Sequence, residues 1–247
     1  LLEGGVLQFD LKAFEPRSFA LTLAPAPVCG QLKHSMPIEL PYDTDLLSFN
    51  RNRADCDTAC PVALPAERFP SEIRCGGVRF VTGPKEDLAA NAVICRGQKL
   101  SIPEGAKYLS LMMASLSGDR RTALTIGKTG FLFTVHDLLE AVGKWDLYGM
   151  QETGQIKQTV LAWNATHLHR GDADSYGEQA YFFKYTFEIP EGAKSFTLPL
   201  DQNLLLLAAS GTDLPACRTA APLYDTLKKR EFDFWITEKD RRLAHPG

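Results

Sequence analysis

Apolar and polar residues alternate along most of this chain, and turn sequences interrupt the alternation at short intervals. The sequence Ile-Pro-Glu-Gly-Ala-Lys occurs twice, at 102–107 and at 189–194. The apolar residues that alternate around the two copies are Leu100, Ile102, Leu109, Leu111 and Met113, then Phe187, Ile189, Phe196, Leu198 and Leu200. Period-two alternation on both sides of a Pro-x-Gly turn predicts two strands joined by a tight connection. The copies are either equivalent strand–turn–strand units, which we favour, or a chance match between similar turns.

Further alternating segments follow one another at the spacing typical of a β-sandwich. Strands are predicted at 78–82, 92–95, 98–102, 107–114, 122–126, 131–135, 156–165, 180–189, 194–200 and 204–209. Helical patterns are few: one turn at 135–142 and a short helix at 222–232. The predicted fold class is therefore all-β, an antiparallel two-sheet sandwich of the jelly-roll or galactose-binding-like type.

Two segments outside the predicted sandwich indicate domain boundaries. Residues 6–23 predict a hairpin that turns at Glu15-Pro16-Arg17, and a lone hairpin is not stable. We interpret residues 1–25 as the terminal hairpin of a preceding β-domain. Ala24-Pro25-Ala26-Pro27 is a short stiff linker, so the sandwich is expected at 28–210 and a C-terminal tail with room for the short helix at 211–247.

Composition and charge argue against two function classes. The net charge is −3 and no dense stripe of Lys and Arg is present, so we expect no nucleic-acid partner. No apolar run reaches about 18 residues, so we expect no membrane span. The chain begins with Leu1 rather than an initiator Met, from which we expect a processed chain or a piece of a longer protein.

The six cysteines indicate an oxidising compartment, so the predicted location is extracytoplasmic, either periplasmic or secreted. Cys56 and Cys60 are close enough in sequence to form a disulfide, and we expect at least one disulfide that involves them. A zinc site of paired Cys-x-x-Cys sequences is disfavoured because that spacing is missing.

Acidic and amide residues are crowded between residues 38 and 60. The members are Asp43, Asp45, Asn50, Asn52, Asp55 and Asp57. Oxygen ligands at this density could hold Ca²⁺, but the EF-hand spacing fails, since position 54 is Ala rather than Glu. A solvated loop of Asx turns is therefore favoured over a calcium site at Asp43, Asp45, Asp55 and Asp57.

Two further segments carry residues with binding chemistry. In an extended strand, His167 and His169 would share one face and could bind a metal if Asp172, Asp174 or Glu178 supplied a third ligand. A hydrogen-bonded pair of histidines near a strand end is the favoured alternative. Trp145 and Asp146 place an aromatic ring beside a carboxylate, which suits a carbohydrate, although a Trp that closes one end of the sandwich is favoured.

The enzyme motifs G-x-S-x-G, P-loop, G-x-G-x-x-G and H-E-x-x-H do not occur in the sequence. If the sandwich contacts a glycan, we expect the contact at Trp145, Asp146, His167 and His169, because loops at a sandwich edge are free to diverge whereas inward residues are committed to packing.

An ordered series of segments resembles a known family. The segments are Tyr42-Asp43-Thr44-Asp45-Leu46-Leu47-Ser48, Leu64-Pro65-Ala66-Glu67-Arg68-Phe69-Pro70, Asn91-Ala92-Val93-Ile94-Cys95-Arg96-Gly97-Gln98, Trp145-Asp146, Thr166-His167-Leu168-His169 and Phe196-Thr197-Leu198-Pro199-Leu200. Over about residues 6–215 the chain resembles the C-terminal β-sandwich region of bacterial α-mannosidases of glycoside hydrolase family 38. It departs from that pattern around 53–62, where Cys56 and Cys60 replace a more usual acidic, Gly-rich loop.

The resemblance implies a role beside a catalytic domain. In that family a divalent metal, usually zinc, and an aspartate nucleophile belong to N-terminal segments that have no counterpart here, so the resemblance implies no catalytic residue, metal or cofactor in this chain. It implies a non-catalytic sandwich that buttresses a catalytic domain or shapes its cleft, with the remaining domains of the same polypeptide as partners. The alternatives are an autonomous carbohydrate-binding module for mannosides or other glycans and, less favoured, a complete hydrolase with an unrecognised site.

Overall fold

The structure is a computed structural model that describes residues 2–3, 6–7, 9–10, 16, 18–20, 35–53, 55–57, 63–144 and 155–215. The strands of these residues, in chain order, are β1 Leu2–Glu3, β2 Val6–Leu7, β3 Met36–Ile38, β4 Leu47–Ser48, β5 Leu64–Pro65, β6 Glu72–Cys75, β7 Val78–Val81, β8 Val93–Arg96, β9 Lys99–Ser101, β10 Tyr108–Ser115, β11 Arg120–Ile126, β12 Thr129–Val135, β13 Gly143–Lys144, β14 Gln155–Ile156, β15 Val160–Asn164, β16 Leu168–Arg170, β17 Ala173–Ser175, β18 Tyr181–Glu188, β19 Ser195–Thr197 and β20 Leu200–Thr212. One short 3₁₀ helix, Ala66–Arg68, follows β5.

The chain divides into two compact units, Leu1–Lys33 and His34–Gly247. In the first unit, β1 and β2 form an antiparallel pair, and the ring centroids of Phe9 and Phe19 lie 4.7 Å apart. Most of the predicted hairpin at 6–23, the whole linker at 24–27 and the predicted helix at 222–232 lie outside the described residues.

Two antiparallel sheets form the frame of the second unit. The main sheet has the order β15-β18-β10-β20-β3, and β8 also pairs with β20. The small sheet has the order β12-β11-β19-β9. The prediction of an all-β fold built from two antiparallel sheets is confirmed. Among the described residues, no helix is long and apolar enough to cross a membrane.

The main sheet is buried on both faces. An inner cluster between the two sheets contains Val93, Cys95, Leu109, Leu111, Met113, Leu124, Ile126, Val135, Phe183, Tyr185, Phe196, Leu198, Leu204 and Leu206. An outer cluster on the opposite face contains Leu47, Leu64, Phe69, Ile73, Val78, Phe80, Ile94, Met112, Ala114, Leu168, Phe182, Leu205 and Leu207. Because alternate side chains of a strand point to opposite faces, the fully buried neighbours Met112 and Met113 enter different clusters.

Short strand pairs supply the layer that covers the outer cluster. They are the parallel pair β4–β5 and the antiparallel pairs β6–β7 and β16–β17. This third layer explains why β10 is buried at every position from 109 to 115. A sandwich of two sheets alone would leave every second residue of that strand exposed to solvent.

The repeated hexapeptide has the same structure at both sites, but neither copy closes a hairpin. The first copy connects β9 of the small sheet to β10 of the main sheet, and the second connects β18 of the main sheet to β19 of the small sheet. Each turn has a glycine with positive φ, 84° at Gly105 and 75° at Gly192. The copies also bond to each other: the Ile102 N–H donates to the carbonyl of residue 194, and the Ile189 N–H donates to the carbonyl of residue 107, each at 2.9 Å. The predicted pair of strands joined by a tight connection is therefore confirmed at both copies, and each strand also pairs with a strand that flanks the other copy, β9 with β19 and β10 with β18.

The helical turn predicted at 135–142 is wrong. This segment follows β12, and its backbone groups form hydrogen bonds with neighbouring strands rather than within the segment. The Leu138 N–H donates to the Ser115 carbonyl at 2.7 Å, and the Leu138 carbonyl accepts from Tyr181 at 2.7 Å. These hydrogen bonds go to neighbouring strands, and residues 138–140 form bends rather than a helical turn.

Candidate functional site

The hairpin of β16 and β17 brings together two of the predicted candidate residues and a carboxylate. The register pairs His169 with Asp174, so the two side chains face each other across the hairpin. The backbone of His169 also exchanges two hydrogen bonds with Ala63, at 2.9 and 3.1 Å, which ties the hairpin to the segment before β5. A continuous extended strand from Trp163 to His169 does not form, because β15 ends at Asn164 and pairs with β18.

The His169 imidazole is buried and has one unsatisfied nitrogen. The residue is 1% exposed, and its Nδ1 lies 2.8 Å from Ser48 Oγ. Its Nε2 lies 3.7 Å from Asp174 Oδ1, too far for a hydrogen bond, and no described residue is its partner. Burial, with the positive charge of Arg53, lowers the pKa of His169, so its imidazole is neutral near pH 7.

His167 and Tyr176 complete the exposed side of the cluster. The half-buried His167 ring lies 5.8 Å from the His169 ring and 5.4 Å from that of Tyr176. Tyr176 is 72% exposed, and its hydroxyl donates to Asp174 Oδ2 at 2.8 Å. The ligand atoms of His167, His169 and Asp174 all lie within 4.8 Å of one another. In the described part of the chain, no other group of three or more His, Cys, Asp or Glu residues is this close.

Charged neighbours balance the cluster. The Arg53 guanidinium pairs with Asp174 Oδ1, and the hydrogen bonds from Arg53 and Tyr176 lower the pKa of Asp174. Burial alone would raise the pKa of Glu67, but hydrogen bonds from the Asn50 and Glu67 backbone N–H groups and the charges of His169 and Arg53 lower it. The two carboxylates and Arg53 therefore surround a neutral imidazole with a net negative charge.

Ser48, His169 and Asp174 carry the groups of a Ser–His–Asp hydrolase triad, but their geometry does not suit that chemistry. A nucleophilic serine must meet the substrate carbonyl. Ser48 is 1% exposed, so its hydroxyl cannot meet a substrate carbonyl, and its contact with His169 Nδ1 orients the imidazole.

The chain was compared with models of known protein families. The model described as "AziU2-like beta-sandwich domain" matches residues 34–214, well over half of the chain. The chain belongs to the AziU2-like β-sandwich domain family. The match agrees with the sandwich part of the resemblance to α-mannosidases and gives no support to an origin in glycoside hydrolase family 38. No curated protein matches the chain.

The aspartates of the candidate calcium site accept hydrogen bonds from backbone N–H groups of the AziU2-like domain. Asp43 accepts from the Ile94 N–H at 2.9 Å, Asp45 from Leu47 at 3.1 Å, Asp55 from Leu88 at 2.8 Å and Asp57 from Asp45 at 3.2 Å. The Asp45–Leu47 bond is an Asx turn of the predicted kind, although Asp45 is buried rather than solvated. Burial raises the pKa of Asp45, and the charges of Asp55 and Asp57 add to this effect.

Other predicted residues lie outside the part of the domain that the structure describes. Trp145, Asp146 and Cys60 belong to that group, so the glycan contact at Trp145 and the disulfide between Cys56 and Cys60 stay predictions. Cys95 is described and fully buried; its burial raises the pKa of the thiol to about 12, which makes it unreactive.

A second charged cluster, which the sequence did not predict, surrounds Lys157 in the AziU2-like domain. Lys157 is 5% exposed, and its Nζ lies 3.1 Å from Asp119 and 2.9 Å from Glu140. Asp119 also lies 2.7 Å from His136 Nδ1 and accepts from the Asp137 N–H at 2.8 Å. Burial would raise the pKa of Asp119, but these hydrogen bonds and the one from Lys157 lower it.

An open pocket of about 570 Å³ lies beside this cluster, and Asp137, Glu140 and Glu178 are among its lining residues. All three carboxylates are bound to neighbours. Asp137 accepts from the N–H groups of Gly118 and Leu139, Glu140 pairs with Lys157, and Glu178 accepts two hydrogen bonds from Arg170 and one from Ser175. The hydrogen bonds from Arg170 and Ser175 lower the pKa of Glu178.

Proposed function

We propose that the chain is a non-catalytic β-sandwich of a larger α-mannosidase-like glycoside hydrolase, in which it buttresses the catalytic domain or shapes its cleft. The proposal that the domain is non-catalytic rests on the pKa and the hydrogen bonds of the carboxylates that line the pocket. A glycosidase needs a general acid with a raised pKa and a second carboxylate that faces it across the sugar. Glu178 has a lowered pKa, and Asp137 and Glu140 are held by backbone N–H groups and by Lys157.

The association with a hydrolase rests on different support. The segments that resemble the mannosidase sandwich occur in the same order along the chain, from Tyr42 to Leu200. Apart from Trp145-Asp146, which lies outside the described residues, these segments contain β4, β5, β8, the last two residues of β19 and the first two residues of β16, which belong to the layers of the sandwich. This placement supports a structural module. The partners would be the remaining domains of the same polypeptide, in an extracytoplasmic location.

We expect the purified chain to have no measurable α-mannosidase activity. The assay is hydrolysis of an aryl α-mannoside with Zn²⁺ or Ca²⁺ supplied, with Glu178→Gln as the matched variant. Turnover that scales with the amount of purified protein and is lost in Glu178→Gln would show that the pocket is catalytic.

The association with a hydrolase has a test of its own. The coding sequence upstream of Leu1 should encode an α/β domain with metal ligands. An isolated secreted domain would contradict the association.

A second candidate function, an autonomous carbohydrate-binding module, is favoured by one observation. Tyr176 is 72% exposed; its ring lies 5.4 Å from the His167 ring, and its hydroxyl donates to the Asp174 carboxylate. Sugars are bound by aromatic faces together with planar hydrogen-bonding side chains. Since His169 is buried, the contact at this hairpin would come from His167 and Tyr176.

We expect such binding to be weak, in the millimolar range, which corresponds to about −4 kcal/mol. The measurement is a titration with methyl α-mannoside that follows the backbone amide NMR signals of residues 166–178. Tyr176→Ala should abolish the shifts, whereas Leu132→Ala, at an exposed position of β12, should preserve them. Shifts confined to residues 196–200 would contradict the assignment.

A further inference from the structure

We propose that His167, His169 and Asp174 form a binding site for a first-row divalent transition metal ion, with Zn²⁺ as the best fit. Two imidazoles and one carboxylate are a donor set that Zn²⁺ takes in proteins, and imidazole also suits Cu²⁺ and Ni²⁺. Metal binding at this hairpin does not depend on any association with a hydrolase.

The separation of the donor atoms fits a shared ion better than a hydrogen bond. Zn–N and Zn–O bonds of about 2.0–2.2 Å that meet at the tetrahedral angle place their donor atoms about 3.3–3.5 Å apart. His169 Nε2 and Asp174 Oδ1 are 3.7 Å apart. Placing an ion between these two atoms requires a movement of a few tenths of an ångström. The donor atom of His167 lies within 4.8 Å of both, so its ring approaches them to complete the site.

The buried nitrogen of His169 supplies an independent observation. A polar atom that is removed from water without a partner destabilises the fold, so such atoms are rare and need an explanation. His169 Nε2 is buried, has no hydrogen-bond partner among the described residues, and points at Asp174. The Ser48 hydroxyl at Nδ1 resembles the outer hydrogen bond of metal-bound histidines, which fixes the tautomer and leaves the other nitrogen as a ligand.

Arg53 opposes the metal and therefore provides a sharp test. Its guanidinium pairs with the same Asp174 oxygen that faces His169. A carboxylate oxygen has two lone pairs, so Asp174 can hold both, but two positive charges on one oxygen repel each other. Glu67, whose lowered pKa keeps it ionised, offsets part of this repulsion. Removal of the Arg53 charge should tighten metal binding.

The fourth coordination position would face solvent. His167 is half-buried and Tyr176 is largely exposed, whereas Ser48 and His169 close the opposite side. Three protein ligands with one open position leave room for a water molecule or a small ligand on the ion.

The experiment measures binding of Zn²⁺ to the whole chain by calorimetry, and of Co²⁺ by visible absorption. We expect one ion per chain at this site, and at least about a tenfold weaker affinity in His167→Gln and in Asp174→Asn. The matched control is Asp172→Asn, which removes the same charge from an exposed position of the same hairpin and should leave the affinity unchanged. Arg53→Gln should bind more tightly than the wild type.

Circular dichroism and the melting temperature without metal show that each variant is folded. Cysteine ligation is a separate outcome, because thiolates give Co²⁺ an intense near-ultraviolet charge-transfer band that imidazole and carboxylate do not. Absence of binding, a thiolate band, or an affinity that falls equally in Asp172→Asn and Asp174→Asn would each overturn the proposal.

Discussion

Phe182→Ala and Phe183→Ala are each expected to lower the free energy of unfolding by about 3–5 kcal/mol. The two residues are adjacent in β18 and fully buried, but they enter different clusters: Phe182 the outer and Phe183 the inner. Each truncation removes apolar contacts and leaves a cavity that the close-packed layers cannot fill completely. Urea denaturation of the two variants measures both losses.

The comparison distinguishes a three-layered domain from a two-sheet sandwich. In a two-sheet sandwich one of the two neighbours would face solvent, and its truncation would cost little. Leu132→Ala is the control, since Leu132 is 70% exposed on β12 and should change the stability by less than about 0.5 kcal/mol. The Trp163 ring lies 6.3 Å from that of Phe182, so its fluorescence should respond to Phe182→Ala more than to Phe183→Ala. A negligible effect of Phe182→Ala would contradict the role of the third layer.

The sequence predicts the frame of this domain better than its third layer. The long strands β10 and β18 carry alternating apolar residues, and the repeated hexapeptide marks the two corners where the chain passes between sheets. The pairs β4–β5 and β16–β17 are too short for periodicity to detect, because their strands have only two or three residues. Their stability comes from burial against the main sheet, which is a property of the tertiary structure.

The candidate metal site could likewise be predicted only in part from the sequence. The spacing of His167 and His169 is visible in the sequence, but it leaves Asp172, Asp174 and Glu178 as equal candidates for a third ligand. The register of the hairpin decides among them, since it sets His169 opposite Asp174 and turns Glu178 towards Arg170. Ser48 and Arg53 could not be predicted, because each lies 121 residues from its partner in the cluster.

Asp119→Asn is expected to lower the free energy of unfolding at neutral pH by about 1–2 kcal/mol, less than the roughly 3–5 kcal/mol of a buried pair that loses its only partner, because the Asp119 side chain is 38% exposed and solvent screens part of its charge. Lys157 is almost fully buried and keeps its cationic head near two carboxylates. Removal of one negative charge leaves Glu140 as the carboxylate that compensates a desolvated ammonium group. The carbonyl of Asn still accepts a hydrogen bond, so the loss comes mainly from charge rather than shape. Urea denaturation measures it, with Asp172→Asn as the control that removes an exposed charge.

The pH dependence of this difference separates charge from packing. The pKa of Asp119 in the folded state lies below its ordinary value of 3.8, so its contribution is complete above that value and is lost as the pH falls through the folded pKa. The wild type should therefore lose stability in acid faster than Asp119→Asn, and the difference between them should shrink below about pH 4. Once the pH has fallen below the folded-state pKa, the protonated Asp119 carries no more charge than the amide that replaces it. A difference that stays constant from neutral pH to acid would contradict this account. It would mean that Asp119 stabilises the fold through packing alone and that Glu140 by itself compensates the charge of Lys157.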